Sequence, residues 1–308
     1  LGRQDSHFRF DLTKEEDIMG SRRDFIKTFT GVVAGSGLVQ AAKALPAAGR
    51  TFRGPFGVQL YSLRDQLAKD VPGALKHIRE VGYTAAETAG FYDMKAEDFK
   101  RELDKAGLKC TGMHAGDDDR FRDHLDEIIA EARVFKPLHV SCPWVGEERR
   151  KDAEGAKRVA ADFNAWGKKL QAAGFRFSYH NHDVDFQPLG TTTAQDIFLS
   201  ETDPKLVDFE FDLYFVQKVG LVPADFIKKH AARAKQLHLK DIAKGVKVGF
   251  QEEPDSTCVP LGTGQIDWPK TLAAAAAAGV KEYYVEDESP TAWDGIAKTF
   301  AYLKSVRF

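Results

Sequence analysis

Val207-Asp208-Phe209-Glu210-Phe211-Asp212 alternates apolar and acidic side chains and ends on a carboxylate. Alternate residues of a strand face opposite sides. If Asp212 points into an enclosed interior, Glu210 does too, while Phe209 and Phe211 turn outward against helices. An interior filled only for packing would carry Val, Ile or Leu at those positions, so carboxylates there point to a site. Seven further strand-like runs, 57–61, 84–87, 109–114, 138–141, 175–180, 235–240 and 282–286, are spaced along the chain. The last reactive side chains of the set are Glu87, His114, His180, Asp212, His238 and Glu286. The same parity turns Gln59 with Tyr61, Gln236 with His238, and Tyr284 with Glu286 inward.

Between these runs, stretches 71–81, 95–106, 119–135, 150–173, 193–201, 222–232, 267–278 and 291–305 carry apolar residues at helical spacing. Gly82, Gly107, Gly174 and Gly279 each stand where a helix gives way to a strand, and glycine there can take the left-handed conformation that ends a helix. Alternating strand and helix units imply a parallel sheet. Eight of them predict a single-domain (β/α)₈ barrel, a TIM barrel, whose strand C-termini converge on one mouth, where such folds place their chemistry.

With 308 residues, 43% of them apolar, the chain is long enough for one large α/β domain. Its 44 basic and 46 acidic residues leave a formal charge of −2, which offers no broad basic surface, and nucleic acid is excluded as an expected partner. Cys110, Cys142 and Cys258 lack paired metal-type spacing and read as small buried residues, with a Cys110–Cys142 disulfide left open. Residues 19–48 resemble a twin-arginine export signal: Arg22-Arg23 precedes Phe25, a Gly- and Ala-rich apolar run and Pro46-Ala47-Ala48. The run falls short of the roughly 20 apolar residues of a membrane span. The expectation is therefore a disordered upstream extension over 1–18, a signal over 19–48 cleaved near Ala44 to Ala48, and a barrel over 49–308. The mature protein would be periplasmic or exported, with no membrane anchor.

Tyr179-His180-Asn181-His182-Asp183, Phe209-Glu210-Phe211-Asp212-Leu213-Tyr214, Leu237-His238-Leu239-Lys240-Asp241 and Tyr284-Val285-Glu286-Asp287 closely resemble the motifs of strands 5 to 8 of the sugar phosphate isomerase/epimerase family, the xylose isomerase-like TIM barrels. The resemblance takes in Gly262-Thr263-Gly264-Gln265-Ile266-Asp267-Trp268 and covers about residues 55 to 308. It implies one divalent metal ion at the mouth, held by His180, Asp212, His238 and Glu286, with His182 as an alternative ligand to His180. Two imidazoles with two carboxylates suit Mn, Zn, Co or Fe better than Ca. Such an ion would polarise a sugar carbonyl and ease loss of the α-proton.

Two departures from the family pattern bear on the reaction. His180 stands where family epimerases carry Glu, and Phe215 stands where their strand 6 motif carries His. Both weaken a two-base epimerisation and leave a one-base reaction intact, such as abstraction α to a ketone followed by β-elimination. The expected substrate is an unphosphorylated sugar or keto-sugar, and the expected enzyme an isomerase, epimerase, dehydratase or keto-sugar lyase. His182 and then Lys240 are the candidate general bases, with Glu286 as a further catalytic carboxylate. Glu87 and His114 are candidates for binding sugar hydroxyls, Trp144 and Tyr214 for an apolar face against the ring. Glu210 reads as an interior ion-pair partner. Lys240 and Asp241 read alternatively as a mutual pair or a loop cap, and 262–264 as a turn. A non-catalytic exported sugar-binding protein on the same barrel is the competing reading, and oligomerisation stays open.

Overall fold

The computed structural model describes residues 51–308 apart from 53–54 and 252–253. The expected signal and upstream extension lie outside the described residues. Eight parallel strands close into a barrel: β1 Gly57–Gln59, β2 Ala85–Ala89, β3 Lys109–His114, β4 His139–Cys142, β5 Arg176–His180, β6 Val207–Asp212, β7 Ala234–Leu239 and β8 Glu282–Val285. Each strand pairs with its neighbours in sequence, and β1 pairs with β8 through Gly57–Tyr284 and Val58–Val285 to complete the ring. Around it run α1 Val71–Val81, α2 Ala96–Ala106, α3 Asp118–Phe135, α4 Ala153–Ala172, α5 Ala194–Glu201, α6 Pro223–Lys229, α7 Trp268–Ala278 and α8 Ala292–Ser305. The single-domain (β/α)₈ barrel expected from the alternation is the observed fold. None of the helices among the described residues is long and apolar enough to cross a membrane.

Local chemistry moves three boundaries. The first strand stops at Gln59, whose side-chain oxygen accepts the Tyr61 N–H at 3.0 Å and caps the short 3-10 turn Leu60–Leu63. Tyr61 is therefore 43% exposed, and the expectation that it faces inward is corrected. The helix expected over 150–173 is divided into Glu147–Arg150 and α4, because Asp152 caps α4 by accepting the Gly155 N–H at 2.7 Å. Between β6 and α6 the chain makes an extra helix, Leu213–Lys218, started by Asp212 itself.

The apolar layer lies between strands and helices, where outward-facing strand residues meet helical side chains. Phe211 packs on Phe226 of α6 with ring centroids 4.9 Å apart, and Tyr179 packs on Phe163 of α4 at 4.8 Å. Each fully buried aromatic of this kind contributes roughly 1.5–3 kcal/mol relative to exposure. Cys110, Cys142 and Cys258 are buried free thiols, so the disulfide left open above is not formed.

The barrel interior is polar from its N-terminal end upward. His139, the first residue of β4, places Nε2 3.0 Å from an Asp208 oxygen and Nδ1 2.9 Å from a Glu282 oxygen, while Arg176 donates to Asp208 at 2.7 Å. Burial alone would push the imidazole down, but the hydrogen bonds to Asp208 and Glu282 outweigh it and hold it at about 9. A value raised above that of the unfolded chain stabilises the fold in full below the ordinary histidine pKa of about 6.5. The contribution is lost as pH rises through about 9, and is worth about 3 kcal/mol. Thermal unfolding of the wild-type chain is expected to weaken between pH 6.5 and 9.5 by several degrees more than that of His139→Leu. Parallel pH profiles for the two proteins would show that His139 is not held as a cation.

Candidate active site

The C-terminal strand ends gather the chemistry. His180 closes β5, Asp212 closes β6, His238 lies one residue before the end of β7, and Glu286 follows the last residue of β8. One donor atom from each of these four residues can be chosen so that all lie within 4.8 Å of one another, and all four residues are buried. One Asp212 oxygen accepts the Tyr214 N–H at 2.8 Å, which caps the Leu213–Lys218 helix and fixes the carboxylate plane. The other, Oδ2, is buried without a hydrogen-bond partner among the described residues and lies 3.9 Å from His180 Nε2. His238 is held at both nitrogens: Nδ1 lies 2.8 Å from Glu286 and Nε2 lies 2.7 Å from Glu87.

Beneath this layer a second one follows from strand parity. Glu210, two residues before Asp212, places Oε2 2.7 Å from His114 Nε2, 3.4 Å from His238 Nε2 and 3.5 Å from His180 Nδ1. Glu87 receives the Gln59 amide at 2.9 Å, and its Oε1, like Glu210 Oε1, has no hydrogen-bond partner among the described residues. The His114 and His238 rings are stacked 5.2 Å apart at 9°. Glu87 and His114 were expected at the substrate face, but the structure places them in this interior array, against other protein side chains.

The remaining expected residues ring the mouth. His182 is half-buried, with its ring centroid 4.9 Å from that of His180 and 5.1 Å from that of Trp144. Burial, with His180 and Arg150 adding to it, pushes His182 well below the ordinary histidine range, so the ring is neutral, and its Nδ1 has no hydrogen-bond partner among the described residues. Lys240 is buried and pairs with Glu288, with Asp212 at 3.8 Å and Glu286 at 3.9 Å. Burial opposes its charge, but Glu288, Glu286 and Asp212 together hold the ammonium well above its ordinary value. Lys240 is therefore a cation at neutral pH, suited to giving a proton or balancing charge. Tyr214 is 4% exposed; its ring carries Lys240 Nζ 5.1 Å from the centroid and its hydroxyl meets Thr257 at 2.7 Å. It supports Lys240, and only Trp144 of the two aromatics stays half-buried beside His182.

Asp241 does not pair with Lys240. Its carboxylate accepts the Gly262, Gly264 and Ile266 N–H groups and the Trp268 indole at 3.0, 3.2, 3.2 and 2.8 Å, so the 262–264 segment is a turn wrapped around it. A Cβ on Gly264 would lie 2.3 Å from that carboxylate, which explains the glycine. Three contributors were not visible as site residues in the sequence: Arg150, buried, paired with Asp185 and 4.4 Å above the Trp144 ring; Asn181, which accepts the Asp212 N–H at 3.2 Å; and Glu288 on Lys240. Glu210, by contrast, was legible through its parity with Asp212, and it is the interior ion-pair partner expected of it.

The donors at the mouth fit a divalent ion. Two imidazoles and two carboxylates converge, Asp212 Oδ2 is buried without a partner, and burial pushes the Asp212 carboxyl up to about 7 despite the nearby Lys240. A buried carboxylate oxygen that receives no hydrogen bond is one a metal ion would satisfy.

Residues 75–306 match the family described as Xylose isomerase-like TIM barrel. The chain belongs to that family. Among curated relatives, this xylose isomerase-like TIM barrel is 30% identical over 199 residues to the inosose dehydratase of Bacillus cereus (strain AH820), an alignment covering 60% of each chain. It thus spans about three fifths of the length of that relative. Among solved structures it superposes on a sugar phosphate isomerase/epimerase from Parabacteroides distasonis with a TM-score of 0.69 and 25% identity, over 82% of this chain and 98% of the other. It also superposes on the IOLI protein with a binding zinc atom, at a TM-score of 0.65 and 15% identity, over 82% and 99%.

Proposed function

We propose that this xylose isomerase-like TIM barrel is a metal-dependent enzyme that removes a proton from the carbon beside a ketone in an unphosphorylated sugar or cyclic polyol, and eliminates the β-hydroxyl as water. The observation that carries this reading is a neutral, half-buried His182 beside the four buried donors His180, Asp212, His238 and Glu286. Those four would hold the ion, which when bound would polarise the ketone oxygen and lower the acidity barrier at the neighbouring carbon. Likeness to inosose dehydratases supports elimination from a keto-inositol as the first reaction to try.

His182 is the group that accepts the α-proton, since its imidazole is held unprotonated beside the four donors and its Nδ1 has no hydrogen-bond partner among the described residues. Lys240, held as an ammonium, is the group placed to return a proton to the departing hydroxyl. The C–H electron pair becomes the new C=C bond as the β C–O bond breaks, and water leaves. Glu286 fixes Lys240 and His238 and belongs to both the ligand set and the catalytic electrostatics. Trp144, with Arg150 on its ring, bounds the side of the mouth next to His182.

Incubation of zinc-, manganese- or cobalt-loaded protein with a keto-inositol and with a keto-hexose in D₂O is the test. The expected outcome is stoichiometric formation of an unsaturated ketone. Solvent deuterium at the α-carbon without loss of water would select isomerisation or epimerisation. Sugar binding with neither change would favour a binding protein.

A further inference from the structure

β5 ends at His180, and its ladder pairing with β6 ends there too, at Glu210, so strand pairing does not place His182. Asp185 does. The His182 N–H donates to Asp185 Oδ2 at 2.8 Å, and the His182 carbonyl accepts the Asp185 N–H at 3.2 Å. Asp185 is fully buried; its Oδ2 also accepts the Tyr179 hydroxyl at 2.8 Å, and its Oδ1 accepts from Arg150 Nη1. Arg150, 4% exposed, lays its guanidinium 4.4 Å from the centroid of the Trp144 ring. That ring meets His182 edge-on, with centroids 5.1 Å apart at 82°, while Phe215 packs on the imidazole at 4.7 Å. One buried cation thus reaches His182 by two routes, through Asp185 to its main chain and through Trp144 to its ring.

We propose that Arg150 is a positioning residue of the reaction, which fixes the main chain and the ring of His182 in the orientation that proton removal requires. This rests on the reading of His182 as the base and adds the group that aims it. A misplacement of about 1 Å can cost a reaction about 100-fold, and a residue beyond the end of its strand depends on side-chain bonds for its place. Arginine suits the task where lysine would not. Its planar fork can donate to Asp185 from one nitrogen while its face lies on Trp144, and an ammonium cannot do both. Among the described residues Arg150 is the only Lys or Arg ion-paired with Asp185. It keeps that buried carboxylate charged, and a charged acceptor binds the His182 N–H more strongly than a neutral one. Fold stability alone is a poor reason for the pair, since apolar residues can often replace a buried ion pair at little cost.

Arg150 also borders a cavity of about 240 Å³ between the Glu147–Arg150 helix and the turn that follows β5, lined as well by Lys151, Val184, Gln187 and Leu189. The second guanidinium nitrogen, Nη2, has no hydrogen-bond partner among the described residues. The cavity has room for several water-sized molecules. Shortening Arg150 would therefore leave a space that a free guanidinium ion can enter, and the missing group can be supplied from solution.

The test compares Arg150→Lys, which keeps a cation for Asp185, with Arg150→Ala, each in the zinc-loaded full chain. Arg150→Lys should hold wild-type metal content, lower kcat for the accepted keto-sugar by about 10–100-fold and leave KM within about threefold. In a His182→Gln background the same change should cost less than about twofold, because the base it aims is gone. Arg150→Ala should lose at least as much, and millimolar guanidinium chloride should restore kcat by about tenfold where sodium chloride at the same concentration does not. A readout that needs no turnover is the ring C–H resonance of His182, identified by its absence from His182→Gln. It should be one sharp line in wild type and should broaden or split in Arg150→Lys. Wild-type kcat and an unchanged His182 resonance in Arg150→Lys would overturn the positioning role and leave His182 as the base. An undiminished loss in the His182→Gln background would place the effect of Arg150 elsewhere and would overturn it as well. Full activity of His182→Gln itself would overturn the base and this proposal together.

Discussion

Asp212→Asn and His238→Ala are each expected to release the ion at the mouth and to lower turnover of the accepted keto-sugar by at least about 100-fold, since even partners that only orient a ligand are typically worth about 10–100-fold in metal affinity or activity. Asp212 needs care because it has two tasks. One oxygen caps the Leu213–Lys218 helix at 2.8 Å from the Tyr214 N–H and the other is the unpartnered donor. Asp212→Ala removes both and adds a capping loss of about 1 kcal/mol, which would blur a binding result with a folding one. Asp212→Asn keeps a cap acceptor and removes the charge. His238→Ala strips Glu87 and Glu286 of a shared partner and is expected to lower the thermal midpoint as well. If both variants retain wild-type metal content, the proposed ligand set is wrong whatever happens to activity.

His182→Gln is expected to reduce kcat by about 10²–10⁴-fold, the usual worth of a positioned base, with metal content unchanged. Glutamine preserves a polar side chain of similar reach beside His180 and Trp144, so the change should be felt in proton removal and not in packing. The two measurements together separate the roles left open by the sequence. Loss of activity at full metal content makes His182 the base. Parallel loss of both would make it a ligand, with His180 displaced from that task. Retention of full activity would move the search for a base to another group at the mouth.

Strand and helix content was readable because the two periodicities differ so clearly here. Runs 109–114 and 207–212 coincide residue for residue with β3 and β6, and 71–81 coincides with α1. Where a polar side chain bonds back to the chain, pattern alone placed the boundary wrongly. Gln59 ended β1 two residues early and Asp152 split a helix, since capping is a local hydrogen bond that hydrophobic spacing does not register. The candidate ligands were legible from strand order and parity. The depth of Glu87 and His114 was not, because each is decided by a partner far along the chain: Glu87 by His238, 151 residues away, and His114 by Glu210, 96 residues away.

By itself, then, the sequence determined the barrel, the end of it that carries chemistry, and the residue types available there, all of which follow from periodicity and from the alternation of a strand's two faces. Tertiary structure alone decided which nitrogen of His180 and His238 faces which carboxylate, that Lys240 is a buried cation, and that Glu210 joins His114 in an inner layer. Ring orientation and charge state are set by neighbours that closure of the barrel brings within a few ångströms, and no local pattern in the chain encodes that proximity.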